Sequence, residues 1–526
     1  MADRPSLPAP GRRALLRGSL AASAALAVPA VTGAAPALAF SGRPSADWGV
    51  QVGDVSTGSG LVWTRADRPA VMTVETAATE SFRGARTWRG PLLDARTDFT
   101  GTTALRGLPS GQQIHYRVTL HDPEDPRRAS RPVTGTFRTV SRRRHDDVRF
   151  LWSGDIAGQG WGINPDRDGW RVYEEMRRLD PDFFLCSGDN IYADGPIQES
   201  VTLPDGRVWH NLTTEAKSKV AETLDEFRGA FRYNLLDAHL RRFNAQVPTV
   251  TQWDDHEVRN NWYPGQILDD PQYTEKNVDV LAARSLRAFS EYFPVPTLPV
   301  GDPEGRVYRV LPYGPLLDVF VLDMRTYRDA NSRNRQTEDP QGILGRRQLD
   351  WLKRELARSR AVWKVIASDM PLGLVVADGA TDFEAVAQND PGAPLGRELQ
   401  IAELLRHIKH RHITGTLWLT ADVHYTSAQH YEPERAAFQD FAPFWEFVSG
   451  PLAAGGFQSV PLDATFGPRQ TFLKAPDRAN VSPAEIPPNY GEISIDGDSG
   501  ELTVRLREEG GKVLYSKVLR PGRVGQ

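Results

Sequence analysis

At 526 residues the chain exceeds the usual span of one domain, so two or more are expected. Its 40% hydrophobic and 25% charged residues, with a net charge of −4, fit a globular protein and exclude the strongly basic balance of a nucleic-acid binder. The single cysteine, Cys186, excludes an intramolecular disulfide and any multi-cysteine zinc or iron–sulfur site.

Residues 1–39 read as a leader. Gly11-Arg12-Arg13-Ala14-Leu15-Leu16-Arg17 is followed by an Ala/Leu/Val-rich stretch and by Ala37-Leu38-Ala39, a small-x-small cleavage site before Phe40. Adjacent arginines before a mildly apolar run predict a twin-arginine (Tat) signal; an ordinary secretory signal carrying two arginines is the alternative. The expected partner is therefore the Tat export machinery, which carries folded proteins, and the expected location is outside the cytoplasm. The run is too short and alanine-heavy for a transmembrane anchor.

Residues 40–141 carry only β signals. Gly60–Thr64, Ala70–Val74, Gln113–Val118 and Gly135–Thr139 alternate apolar and polar residues between Gly, Pro and Asp turns, the pattern of a small β-sandwich. The charge run Arg142–Asp147 suits a solvated linker. Over 142–522 the pattern becomes strand–helix alternation. Strands are predicted at Val148–Trp152, Asp182–Ser187, Val247–Gln252, Leu317–Leu322, Trp363–Ala367 and Leu417–Ala421. Helical spacing covers Trp170–Leu179, segments within Thr214–Phe243, Gly345–Arg358 and Leu395–His410. A hairpin at 492–506 closes the chain, and two stretches, Asp194–Asn211 and Tyr425–Pro488, read as loop-rich cover for a site. A layered α/β domain follows, with its site along the carboxyl ends of the strands.

Those strand ends carry the chemistry. Five of them deliver carboxylate or imidazole: Asp155; Asp189 with Tyr192; Asp254-Asp255-His256-Glu257; Asp369; and Asp422-Val423-His424. Hard oxygen and imidazole donors gathered on one sheet edge suit a pair of ions about 3.5–4 Å apart, sharing a bridging carboxylate. Asp189 is the bridge candidate, since Gly188 before it permits a tight turn. Asp155 serves the first ion, and Tyr192 can return to it as a phenolate, a hard donor favouring trivalent iron; the alternative is an aromatic plug. Asp255 is expected on the second ion, with His256 as general acid to the leaving group. Asn260 and Asn261 lie about one turn later, within reach of phosphate oxygens. Asp422 and His424 point to the same strand face and can each take one ion. Asp369, before Met370-Pro371, is as readily part of a plain turn. Arg325 and Arg328 suit bidentate phosphate binding, with a salt bridge to Asp323 as the alternative.

Together these residues resemble the calcineurin-like metallophosphoesterases, and within them the PhoD-like alkaline phosphatases. The resemblance rests on the paired-arginine leader, Leu61-Val62-Trp63-Thr64-Arg65, Gly188-Asp189-Asn190-Ile191-Tyr192, Trp253-Asp254-Asp255-His256-Glu257-Val258 with Asn260-Asn261, and Asp422-Val423-His424. It implies an α/β chain: a fibronectin III/Ig-like all-β sandwich followed by a four-layer α/β/β/α catalytic domain. By the same comparison Asp155, Asp189, Tyr192 and His424 would hold Fe(III), and Asp189, Asp255, Asp369 and Asp422 a second ion. That second set is all carboxylate and fits Ca²⁺ better than Zn²⁺, with another divalent metal open. No cysteine stands near Asp155, and Ala157 replaces a frequent superfamily histidine, which leaves metal identity and ion count open. The implied activity is hydrolysis of phosphate mono- or diesters by in-line attack of a metal-bound hydroxide, with His256 catalytic and Asn260, Asn261 and Arg325 on the substrate. The expected substrate is a small phosphate ester, with a phospholipid or teichoic-type polymer open, and a phospholipase D-type diesterase acting on lipid headgroups is the related alternative. A secreted binding protein with structural metals is the alternative of another class.

Overall fold

The computed structural model describes residues 42–296, 306–338 and 342–522; the leader expected at 1–39 lies outside the described residues. Two large sheets dominate it. In the first, the strands Val148–Ser153, Phe183–Ser187 and Thr249–Gln252 run parallel, and Asn489–Ile495, Leu502–Glu508 and Val513–Leu519 extend one side antiparallel. In the second, Leu317–Val321, Trp363–Ala367, Thr416–Thr420 and Phe444–Val448 run parallel. Parallel strands need both faces covered, and these are buried at nearly every position.

The two sheets meet face to face. Phe150, Trp152, Phe183, Leu185 and Val250 from the first interleave with Val319, Val321, Val365, Ala367, Leu417, Leu419 and Phe447 from the second. Alternation sends the intervening residues outward. Phe320, Ile366 and Trp418 pack under the helices Gly345–Arg358 and Glu398–His410, whereas Leu151, Phe184 and Cys186 pack under Val172–Arg178 and Ala238–Asn244. The order is helix, sheet, sheet, helix, the four layers expected. Helices Leu224–Asn234 and Val278–Tyr292 form a further cluster with Trp63, Trp253 and Trp262. The first of these opens with a capping box, Thr223 with Glu226.

Three features add to the expected fold. The stretch Tyr425–Pro488 is largely irregular, as expected, but it also contributes three strands: Thr426–Tyr431, Phe444–Val448 and Pro468–Lys474 complete the seven-stranded second sheet. The polar side chains of the first of these are buried as completely as the apolar ones, so no alternation marked it. The closing hairpin also gains a third strand, Val513–Leu519. Finally, the N-terminal β layers are not separate from the first sheet. The four-stranded sheet formed by 86–93, 70–77, 113–121 and 133–138 packs on Val50–Gly53, Ser59–Arg65 and Thr100–Arg106. Those three strands are the far edge of the nine-stranded sheet, joined to it where Gly53 pairs with Thr249. A Cβ at Gly53 would stand 2.9 Å from the Thr249 carbonyl oxygen and 2.7 Å from Pro294, so only glycine admits this junction.

Candidate metal centre

Parallel register brings the carboxyl ends of the six central strands to one edge of the double sheet. The turns leaving them are sharp. Asp155, Asp189, Asp422 and His424 all adopt positive φ, at 65°, 49°, 67° and 59°. Left-handed backbone in four non-glycine residues of one cluster, three of them buried, is strain concentrated at a site. Gly188, itself at φ 96°, precedes Asp189, and a Cβ there would lie 2.4 Å from that of Asp254. Glu257 then fastens two of the turns together. Its carboxylate accepts the Asn190 N–H at 2.5 Å, the Asn190 Nδ2–H at 2.9 Å and the Asp254 N–H at 2.7 Å.

The expected first-ion residues come together. Ligand atoms of Asp155, Asp189 and His424 lie within 4.8 Å of one another, and the Tyr192 hydroxyl is 2.8 Å from His424 Nε2. His424 Nδ1 donates to the Gly455 carbonyl at 2.6 Å, which fixes the tautomer and leaves the Nε2 lone pair facing the cluster. Burial pushes His424 down to about 4, so it is neutral, as a metal ligand must be. Two further groups share this edge: Asp189 with Asp255 and His256, and Asp254 with Asp255 and Asp422. Asp189 thus stands between two sets of donors, where a bridge belongs.

The cluster is short of positive charge. Burial pushes Asp155 up to about 8 and carries Asp189, Asp254 and Asp422 well above the usual carboxylate range. Asp255 is the exception: burial would raise it, but Arg325 and His256 hold it down at about 2. Both oxygens of Asp155 and of Asp369, Oδ2 of Asp254 and Oδ1 of Asp255 accept no hydrogen bond. Each buried carboxylate costs several kcal/mol unless a cation faces it, and the Arg325 guanidinium and the His256 imidazolium are too few to answer for all of them. The donor set fits bound metal ions.

His256 lies over this edge, its ring 4.1 Å from that of Tyr192 and its backbone N–H 3.2 Å from Asp189 Oδ1. Its Nδ1–H donates to Asp194 Oδ1 at 2.7 Å. Burial disfavours the imidazolium, but Asp194, Asp255 and Asp189 outweigh it and raise His256 well above the usual range. Asn260 is exposed, its N–H held by Asp194 Oδ2 at 2.7 Å. Asn261 gives its N–H to Asp255 Oδ2 at 2.5 Å and its side-chain amide to Asp378 at 3.0 Å, so it braces Asp255.

Two residues differ from expectation. Arg325 does not face an open phosphate site. It is fully buried, and its guanidinium lies among the carboxylates of Asp254, Glu384, Asp369, Asp422 and Asp255 at 2.5, 2.5, 3.4, 3.4 and 3.9 Å. Its alternative partner, Asp323, caps the turn instead, accepting the Arg325 and Thr326 N–H groups and the Trp253 indole. Asp369 sits behind Arg325, against that guanidinium, and is absent from the three converging groups. Asp254, by contrast, joins the converging set. Asp194 and Glu384 were not singled out in the sequence; Asp194 lies five residues beyond Asp189, and no periodicity marks either.

A family model described as the PhoD-like phosphatase matches residues 150–506, and one for the PhoD-like phosphatase N-terminal domain matches 33–141. The chain belongs to the PhoD-like phosphatase family. It is 30% identical over 301 residues to alkaline phosphatase D of Bacillus subtilis (strain 168), covering 55% of this chain and 48% of that protein, so it spans about half the length of that curated relative. A solved PhoD structure superposes with a TM-score of 0.69 at 22% identity, over 92% of each chain. Purple acid phosphatase PPD1 from yellow lupin (Lupinus luteus) seeds gives a TM-score of 0.57 at 13% identity, over 91% of this chain and 74% of that one. Both likenesses show a shared fold. Among the described residues, no helix is long and apolar enough to cross a membrane.

Proposed function

We propose that this chain is a metal-dependent phosphohydrolase cleaving phosphate mono- or diesters outside the cytoplasm, reached by Tat export. The observation that carries the reading is the meeting of Asp155, Asp189, Tyr192 and His424 beside a second set of carboxylates. Phenol, imidazole and carboxylate donors suit Fe(III) at the first position; Asp189, Asp255 and Asp422, with Asp254 converging on the last two, suit Ca²⁺ at the second. Bound there, such ions would acidify water and neutralise charge on the phosphoryl oxygens.

The chain's own residues supply orientation and proton transfer. Asp194 fixes the His256 ring and, with Asp255 and Asp189, keeps it protonated, so Nε2–H is free to donate to the departing alkoxide. Asn260, exposed at the rim, is the phosphate contact in this reading. Asn261 holds Asp255 in place. The first-ion carboxylates and the His424 tautomer are set before substrate arrives, so little reorganisation is needed in the transition state.

Metal content measured alongside turnover of p-nitrophenyl phosphate and bis-p-nitrophenyl phosphate tests the proposal. Bound metal with hydrolysis of one or both is expected. Metal-replete protein that turns over neither ester overturns it.

A further inference from the structure

Arg325 is the most enclosed cation of the cluster, and each edge of its guanidinium has a different neighbour. Nε lies 2.5 Å from Asp254 Oδ1 and 3.4 Å from Asp369 Oδ2. Nη1 lies 2.5 Å from Glu384 Oε1. Nη2 points the other way, 3.4 Å from Asp422 Oδ1 and 3.9 Å from Asp255 Oδ1. Asp254, Asp255 and Asp422 are also the carboxylates whose oxygens converge closely enough to hold a cation.

We propose that Arg325 is a resident counter-ion of the second metal position: its guanidinium shares Asp254, Asp255 and Asp422 with a divalent cation and weakens that cation's binding, while Glu384 holds it back. The inference rests on the metal-dependent reading above. Its physical basis is competition between like charges for the same oxygens. A planar guanidinium with a fixed fork of donors can hold several carboxylates in place when no ion is present. The same positive charge, a few ångströms away, opposes an incoming divalent ion. Glu384 decides the balance. Its carboxylate is fully buried and lies on the Nη1 edge, outside the three converging groups. Arg328 Nη1, 3.6 Å away, is its other cationic neighbour. The pull of Glu384 draws the guanidinium towards that side: Glu384 is at 2.5 Å, whereas Asp422 is at 3.4 Å and Asp255, the longest of the five contacts, at 3.9 Å.

The proposal makes the two variants move in opposite directions. Arg325→Met removes the competitor, so the full-length protein should bind Ca²⁺ more tightly by about tenfold or more, the direction set by losing a like charge at an effective dielectric of about 20. Without Ca²⁺ its thermal midpoint should fall, because several buried carboxylates lose their partner, and added Ca²⁺ should restore it over a wider range than in the wild type. Glu384→Gln leaves Arg325 free to swing onto Asp255 and Asp422, so Ca²⁺ should bind several-fold more weakly. A residue that only supports the structure would loosen Ca²⁺ binding in both variants.

Equilibrium dialysis with ⁴⁵Ca²⁺ and thermal unfolding against Ca²⁺ concentration provide the readout, neither needing turnover. Should Arg325→Met fail to fold, Glu384→Gln and Arg325→Lys carry the test; lysine keeps a point charge but loses the fork, and Ca²⁺ affinity should stay within a few-fold of wild type. Equal or weaker Ca²⁺ binding in Arg325→Met, or tighter binding in Glu384→Gln, overturns this inference alone. A wild-type chain that binds no divalent cation under any of these conditions overturns it together with the metal-dependent reading.

Discussion

Asp194 holds His256 from one side only: Oδ1 takes the Nδ1 proton at 2.7 Å, while Oδ2 takes the Asn260 N–H at 2.7 Å. The carboxylate therefore aims the ring, fixes which nitrogen faces the cluster and raises the imidazole's proton affinity. Removing the ring in His256→Ala should cost about 10²–10⁴-fold in kcat, the usual scale for a positioned general acid. Asp194→Asn should cost less, because the ring remains, and should shift the basic limb of the pH–rate profile downwards. Metal content should be unchanged in both. Equal profiles for wild type and Asp194→Asn would show that Asp194 only supports the turn.

Asp189→Asn isolates charge from shape. Asparagine tolerates left-handed backbone as readily as aspartate, so the φ of 49° imposes no new strain. What changes is the loss of a negative oxygen standing between two donor sets. Both metal content and hydrolysis should fall to background while far-ultraviolet circular dichroism stays wild type. Retained activity would mean that Asp189 is not the bridge.

Much of this was legible in the sequence, and the reason is local. Apolar strands ending in Gly-Asp or Asp-x-His announce both a parallel sheet and the edge where its polar side chains gather, so the convergence of Asp155, Asp189, Asp255, Asp422 and His424 could be anticipated without coordinates. Arg325 could not be read correctly, because an arginine after a strand looks the same whether it meets phosphate or buried carboxylates. Which of the two it meets depends on Glu384, more than fifty residues away in a segment with no pattern of its own. The strand Thr426–Tyr431 escaped for a similar reason: its polar residues are buried against neighbouring strands, as in the bond from Thr426 Oγ1 to the Val448 carbonyl at 2.8 Å. Periodicity reports solvent on one face, and here there is none on either.

Gly158 gives a route to the first ion through packing alone. A Cβ at this position would lie 2.5–2.8 Å from three atoms of the Tyr192 ring. Gly158→Ala must displace the phenol, which rests between His256 and His424. With iron bound, the protein should absorb visible light through phenolate-to-iron charge transfer. That band should vanish in Tyr192→Phe, and weaken or shift in Gly158→Ala while the aspartates remain. An unchanged band in Tyr192→Phe would remove Tyr192 from the ligand set.

Away from the metal centre, two buried acids should make stability depend on pH. Glu446 accepts the Leu372 N–H at 2.7 Å and the Tyr431 hydroxyl at 2.5 Å, yet burial pushes it up to about 7. Glu398 accepts from Gln388 and Leu395, and burial pushes it up to about 8. In each case the folded value lies above the unfolded one of about 4.3, so the folded state favours the protonated form. The stability each contributes is complete below that unfolded value and is lost as pH rises through the folded one. Between about pH 4.5 and 8 the two should together remove a few kcal/mol, as an order of magnitude. Glutamine cannot ionise, so the stability of Glu446→Gln relative to wild type should rise across this window, and that of Glu398→Gln should rise up to a slightly higher pH. Urea unfolding at pH 5, 6.5 and 8 measures the difference directly, and a difference that stays constant over that range would mean that neither carboxyl is protonated in the folded protein.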